Sequence, residues 1–208
     1  PILKTLQDLG IYDETTVIIM SDHGTTLGEH PAEPVPWRPS ITYPQHTDMW
    51  DTDLRVAFLL KNGRFPRWGK VEGMVRSVDV APTVLDLFNI STNQYFDGVS
   101  LIPFIEERRS EGLTAYSEEL YERRGPGAVQ AIRTDNYKLM RNLTKAKERF
   151  YNLKEDPAEQ NNLINQTSED ERKIILKWRE MMNELLWKGP REVTEKIFSE
   201  EETEEMEA

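Results

Sequence analysis

The sequence has no cysteine among its 208 residues. Disulfide bridges and thiolate chemistry are therefore excluded within these residues, although no compartment follows from that. Nor is there an apolar run near the eighteen or so residues a membrane-crossing helix needs, so no span is expected. No signal-peptide pattern is visible. Positive charge is scarce: 26 Lys and Arg stand against 37 Asp and Glu, a net charge of −11. Six of the last ten residues are Glu, from Glu200 to Glu207, and with those set aside the remainder carries −5. A mildly acidic body argues against nucleic acid or an anionic membrane surface as partner. What is present is the composition of a soluble globular chain, 38% hydrophobic and 30% charged, long enough for one domain with a small appendage. The first residue is Pro1, not Met, and a helix-like spacing follows at once, which reads as a segment of a longer chain.

One stretch organises the rest, Thr16 to Gly24. From Thr16 to Met20 five residues in succession, mostly β-branched, read as an apolar run and predict a strand buried on both faces, as in a parallel sheet. It ends on Ser21-Asp22-His23-Gly24. Open α/β sheets place ligand sites at the carboxyl ends of their strands. There Asp22 offers hard oxygen ligands and His23 a nitrogen, a pair able to hold a divalent cation. The plainer alternative is a helix cap beside a surface histidine.

Upstream, Ile2, Leu3, Leu6 and Leu9 have helical spacing, and Gly10 stops it. Thr25 to His30 allow one helical turn. Residues 31–44 hold five prolines and no periodicity, as in a functional loop or a plain surface excursion. Arg55 to Leu60 predict a second buried strand, and Met74 to Val78 a short one. Val80, Ala81, Val84, Leu85 and Phe88 share one helical face, with Asp79 placed to cap it. From about Thr114 the pattern changes. Strand candidates at Ala115–Leu120, Ala128–Arg133, Tyr137–Arg141 and Arg149–Leu153 are separated by turn signals, which predicts an antiparallel meander. Ser168-Glu169-Asp170-Glu171 is a capping box, and the apolar stripe from Ile174 through Trp178 and Met182 to Leu186 predicts a helix covering that sheet. The sequence thus divides into an α/β part over residues 1–112, a small antiparallel subdomain with its helix over 113–190, and an acidic tail over 191–208 expected to be disordered. Asn142-Leu143-Thr144 and Asn165-Gln166-Thr167 fit the glycosylation pattern.

Taken together, several separated motifs resemble the sulfatase family of the alkaline-phosphatase-like superfamily. They are Ser21-Asp22-His23-Gly24 followed by Leu27-Gly28-Glu29-His30, then Val78-Asp79-Val80-Ala81-Pro82-Thr83 followed by Asp97-Gly98-Val99-Ser100-Leu101. Further on come Ala131-Ile132-Arg133-Thr134-Asp135-Asn136-Tyr137-Lys138-Leu139, Phe150-Tyr151-Asn152-Leu153 and Asp156-Pro157 through Leu163. The resemblance implies an α/β fold with part of a mostly parallel alkaline-phosphatase-like sheet, plus a small antiparallel sheet covered by a helix. It implies hydrolysis of sulfate esters, small or glycan, by a formylglycine nucleophile with a divalent cation that offsets charge in the transition state. The cation is expected to be Ca²⁺, with Zn²⁺ or Mn²⁺ open because of His23. Asp22 and His23 become metal ligands, and His46 becomes a contact to the sulfate or the leaving group. The nucleophile motif and the family's N-terminal acidic ligands are absent from these residues. The chain therefore resembles the C-terminal half of a sulfatase, expected to be inactive alone, with apolar sheet surface that a homodimer would cover. A metal-dependent phosphodiesterase or phosphonate hydrolase on the same scaffold is the alternative, and a non-catalytic binding module is the third reading.

Overall fold

The computed structural model describes residues 1–30, 49–65, 69–106, 112–121 and 127–187. Among them the meander is the best-packed part. Strands β3 (Ala115–Tyr121), β4 (Gly127–Arg133), β5 (Tyr137–Asn142) and β6 (Lys147–Asn152) pair antiparallel in chain order. Ile132 lies opposite Leu139, and Leu139 opposite Phe150, so one apolar row crosses three strands. Side chains alternate between the two faces of the sheet. Ile132, Leu139 and Phe150 pack with Ile175, Trp178 and Met182 of the helix Glu169–Trp187. Val129, Ala131, Met140 and Tyr151 face the other way and pack with Met49 and Trp50. Both faces are thus covered, and Met182 and Phe150 are fully buried. Each such side chain contributes about 1.5–3 kcal/mol on leaving water. The capping box forms as expected: Glu171 N donates to Ser168 Oγ, and Ser168 N donates to the Glu171 carboxylate.

The preceding part is mixed α/β. It runs α1 (Ile2–Asp8), β1 (Val17–Met20), a one-turn α2 (Asp51–Leu54), β2 (Phe58–Lys61), a 3-10 turn over Ser77–Asp79, α3 (Val80–Leu87) and a one-turn α4 (Ile102–Ile105), with Glu169–Trp187 as α5. The α/β class with an antiparallel sheet under a helix is therefore present. Several local expectations need correction. β1 and β2 pair antiparallel, because an apolar run signals burial and not direction. Ile19, Met20 and Leu59 are 50%, 40% and 59% exposed, so this strand pair is covered on less than both faces. Residues 74–76 form no strand, and Thr25 to His30 form no helix. Asp79 is fully buried but does not cap α3 through its side chain. Its carboxylate instead receives the Arg76 guanidinium, with the closest approach 2.7 Å, and the Val99 amide. The proline-rich loop, His46 and the acidic tail lie outside the described residues.

Candidate functional site

β1 ends where its partner leaves it. Ser21 N donates to Ala57 O at 3.1 Å, and Ala57 N donates to Ser21 Oγ at 2.9 Å. The next two residues are Asp22 and His23, and both line a broad open trough whose walls include β2 and the 3-10 turn. Their side chains are 87% and 52% exposed, respectively. Asp22 Oδ1 accepts the His23 amide at 2.9 Å. His23 Nδ1 lies 2.6 Å from the Gly24 carbonyl oxygen. A carbonyl only accepts, so the proton is assigned to Nδ1, and the neutral ring carries its lone pair on Nε2. That nitrogen is 3.6 Å from Asp22 Oδ2. Ligands held about 2.0–2.4 Å from one cation lie roughly 2.8–3.9 Å from each other between octahedral and tetrahedral angles, so the pair fits two places in a coordination shell. Protonated, the same imidazole would instead pair with the carboxylate. Among the described residues no third His, Asp or Glu joins them, so these residues supply at most part of a cation site.

Gly24 follows because nothing larger fits. A Cβ there would lie 2.1 Å from Thr52 O and 2.8 Å from Arg55 O, both backbone atoms. Gly24 N donates to Asp53 O at 2.7 Å. Thr26 N and Thr26 Oγ1 both donate to Asp53 Oδ1 at 2.9 Å. α2 therefore holds the turn that carries Asp22 and His23.

Sequence reasoning missed the cluster on the other side of α2. Asp51, Lys138 and Glu159 are buried, and Lys138 is 0% exposed. Lys138 Nζ lies 3.0 Å from Asp51 Oδ1 and 2.7 Å from Glu159 Oε1. Arg133 donates to both Asp51 oxygens at 2.8–3.0 Å. Asp51 N donates to Glu159 Oε2 at 2.7 Å. Burial acts to raise the Asp51 pKa, but the Arg133 hydrogen bonds and the Lys138 charge outweigh it, and the carboxyl titrates below its ordinary value. Beside the cluster His30 stacks on Trp50, with centroids 3.8 Å apart and planes 3° apart. Burial lowers the His30 pKa, partly offset by Glu159. One signal was available: Lys138 shares a strand face with Met140, where an inward apolar residue was due.

Residues 43–188 match the family described as "N-sulphoglucosamine sulphohydrolase, C-terminal", and the chain belongs to that family, as the C-terminal portion of a sulfatase-type protein. Over 175 residues it is 30% identical to an ulvan-active sulfatase of Formosa agariphila, covering 78% of this chain and 31% of that protein. Its fold matches a structure solved with its substrate D-glucosamine-2-N,6-O-disulfate, at 22% identity and a TM-score of 0.75, over 92% of this chain and 39% of the other. A phosphonate monoester hydrolase of Agrobacterium radiobacter matches at 22% identity and a TM-score of 0.65, over 88% of this chain and 37% of the other. These two likenesses concern the fold alone. The chain thus spans well under half the length of these relatives.

Proposed function

We propose that the chain is the C-terminal part of a sulfuric ester hydrolase that works with a divalent cation, most simply Ca²⁺. The observation that carries this is the placement of Asp22 and His23 at the end of β1, with Oδ2 and Nε2 3.6 Å apart, in a chain of the sulfatase family. In this reading Asp22 supplies a hard anionic ligand, and His23 supplies either a nitrogen ligand or a hydrogen bond to a sulfate oxygen. A bound cation would offset the charge that develops on those oxygens during ester cleavage. His46 protonates the departing alcohol. The remaining ligands and a formylglycine nucleophile come from outside these residues, which contain no cysteine. The same outside part of the enzyme packs on the exposed face of β1–β2.

The test uses the natural full-length protein with an aryl sulfate and an aryl phosphonate. Sulfate ester turnover is expected to exceed phosphonate turnover, and Asp22→Asn is expected to lower it by about a hundredfold or more, as the loss of a charge-stabilising group does. An Asp22→Asn variant with unchanged turnover defeats the reading. The 208-residue chain assayed alone with Ca²⁺ is expected to be inactive. A second reading, phosphonate or phosphate diester hydrolysis, draws on the fold likeness to the phosphonate monoester hydrolase and on a nitrogen ligand that suits Zn²⁺ or Mn²⁺. Faster phosphonate than sulfate turnover selects it.

A further inference from the structure

Asp22 and His23 are bracketed by anchored residues. On one side Ser21 is tied to Ala57 through two hydrogen bonds. On the other side Gly24 N is tied to the Asp53 carbonyl, and Thr26 is tied twice to the Asp53 carboxylate. Thr26 Oγ1 also lies 2.7 Å from Thr52 Oγ1. Every anchor on the Gly24 side thus belongs to α2, which has only four residues. A helix of one turn has no stability of its own, so outside contacts decide where it sits. Those contacts are the buried charges. Arg133 from β4 grips both Asp51 oxygens, Lys138 from β5 approaches a third side, and Glu159 takes the Asp51 amide.

We propose that the Asp51–Arg133–Lys138–Glu159 cluster positions the Asp22–His23 pair through α2, with Asp53 and Thr26 as the positioning residues that pass the placement on. The proposal rests on the metal reading above. Its logic is that a buried ion cluster adds little net stability over apolar packing but fixes one geometry. Apolar contacts between Trp50, Leu54 and the sheet would leave α2 able to slide, whereas two-pronged hydrogen bonds to Asp51 would not. The C-terminal sheet, which contributes neither Asp22 nor His23, thereby sets how far apart and at what angle those two side chains are presented. Thr26 is the useful place to interrupt the relay. Its hydroxyl is buried against Asp53 and Thr52, yet it lies outside the charge cluster.

The experiment measures Ca²⁺ binding by calorimetry, without substrate, on the natural full-length protein and its Thr26→Val, Thr26→Ser and Asp22→Asn variants. Thermal midpoints are recorded after chelation, and amide exchange is followed at Gly24 and Thr26. Thr26→Val is expected to weaken Ca²⁺ binding by about tenfold or more, the usual effect of losing a group that orients a ligand. It is also expected to speed exchange at Gly24 while the metal-free midpoint moves by only a few degrees. Thr26→Ser is expected to restore binding, because it keeps the hydroxyl. Thr26→Val with wild-type Ca²⁺ affinity, at any midpoint, overturns the proposal if Asp22→Asn has lost binding. If Asp22→Asn also binds as the wild type does, the metal reading fails and takes the proposal with it.

Discussion

The substitution Lys138→Met probes the buried charges most directly. The two side chains have similar length and volume, so the sheet should close around the thioether with little cavity. What is lost is an ammonium that is 0% exposed and within 3.0 Å of two carboxylates. Asp51 keeps its Arg133 partner, but Glu159 is left with the Asp51 amide as its remaining described donor. Removing one member of such a buried set costs about 3–5 kcal/mol, because the other stays charged and dry. For a domain of this size each kcal/mol shifts the thermal midpoint by roughly 2–4 °C, so the fall should be about 6–20 °C. Replacing Glu159 as well, in the double variant Lys138→Met/Glu159→Gln, should recover part of the fall, because no uncompensated carboxylate is then left buried. Urea unfolding of the single and double variants measures this. A loss under about 1 kcal/mol for Lys138→Met, or no recovery in the double variant, would refute the claim that the cluster is dry and mutually dependent.

Three further outcomes follow from the same geometry. Asp51 titrates below its ordinary 3.8, so its contribution is complete above about pH 4 and is lost as the pH falls through its lowered value; Asp51→Asn should flatten the acid limb of stability in that window. His30 also titrates below its ordinary 6.5, so acidification under about pH 6.5 protonates the unfolded chain first and drains stability; His30→Phe keeps a ring on Trp50 and should remove that slope, as melting between pH 5 and 7 would reveal. Gly24→Ala forces a Cβ to within 2.1 Å of the Thr52 carbonyl oxygen, and overpacking of this kind costs about 1–3 kcal/mol; its displaced turn should lower Ca²⁺ affinity as well, and a variant with wild-type affinity would contradict the close approach.

The legible parts of the fold were those whose partners are near in sequence. Strands β3 to β6 are bounded by turn residues, and each pairs with the next. α5 carries both its cap and its stripe within its own residues. β1 was legible as a strand to within a residue, but its pairing direction was not, since alternation and apolar content are the same either way. Asp79 looked like a cap because it precedes α3, yet Arg76, three residues away, takes its carboxylate. The two glycosylation patterns were indistinguishable as text. Asn142 is 6% exposed, and its Oδ1 accepts the Lys145 amide, whereas Asn165 is exposed in a turn. At the candidate site Asp22 and His23 stood out as neighbours. The cluster that supports them did not, because Asp51 meets Arg133 across 82 positions and Glu159 across 108.

That separation also dictates an order of assembly. The meander closes through hairpins between successive strands, which cost little loop entropy, whereas α2 must wait for a finished surface before Asp51 has anything to bind. The sheet is a mould cast early, and the turn bearing Asp22 and His23 sets against it last. Pulse-labelled refolding should accordingly show the Leu139 amide shielded before that of Gly24.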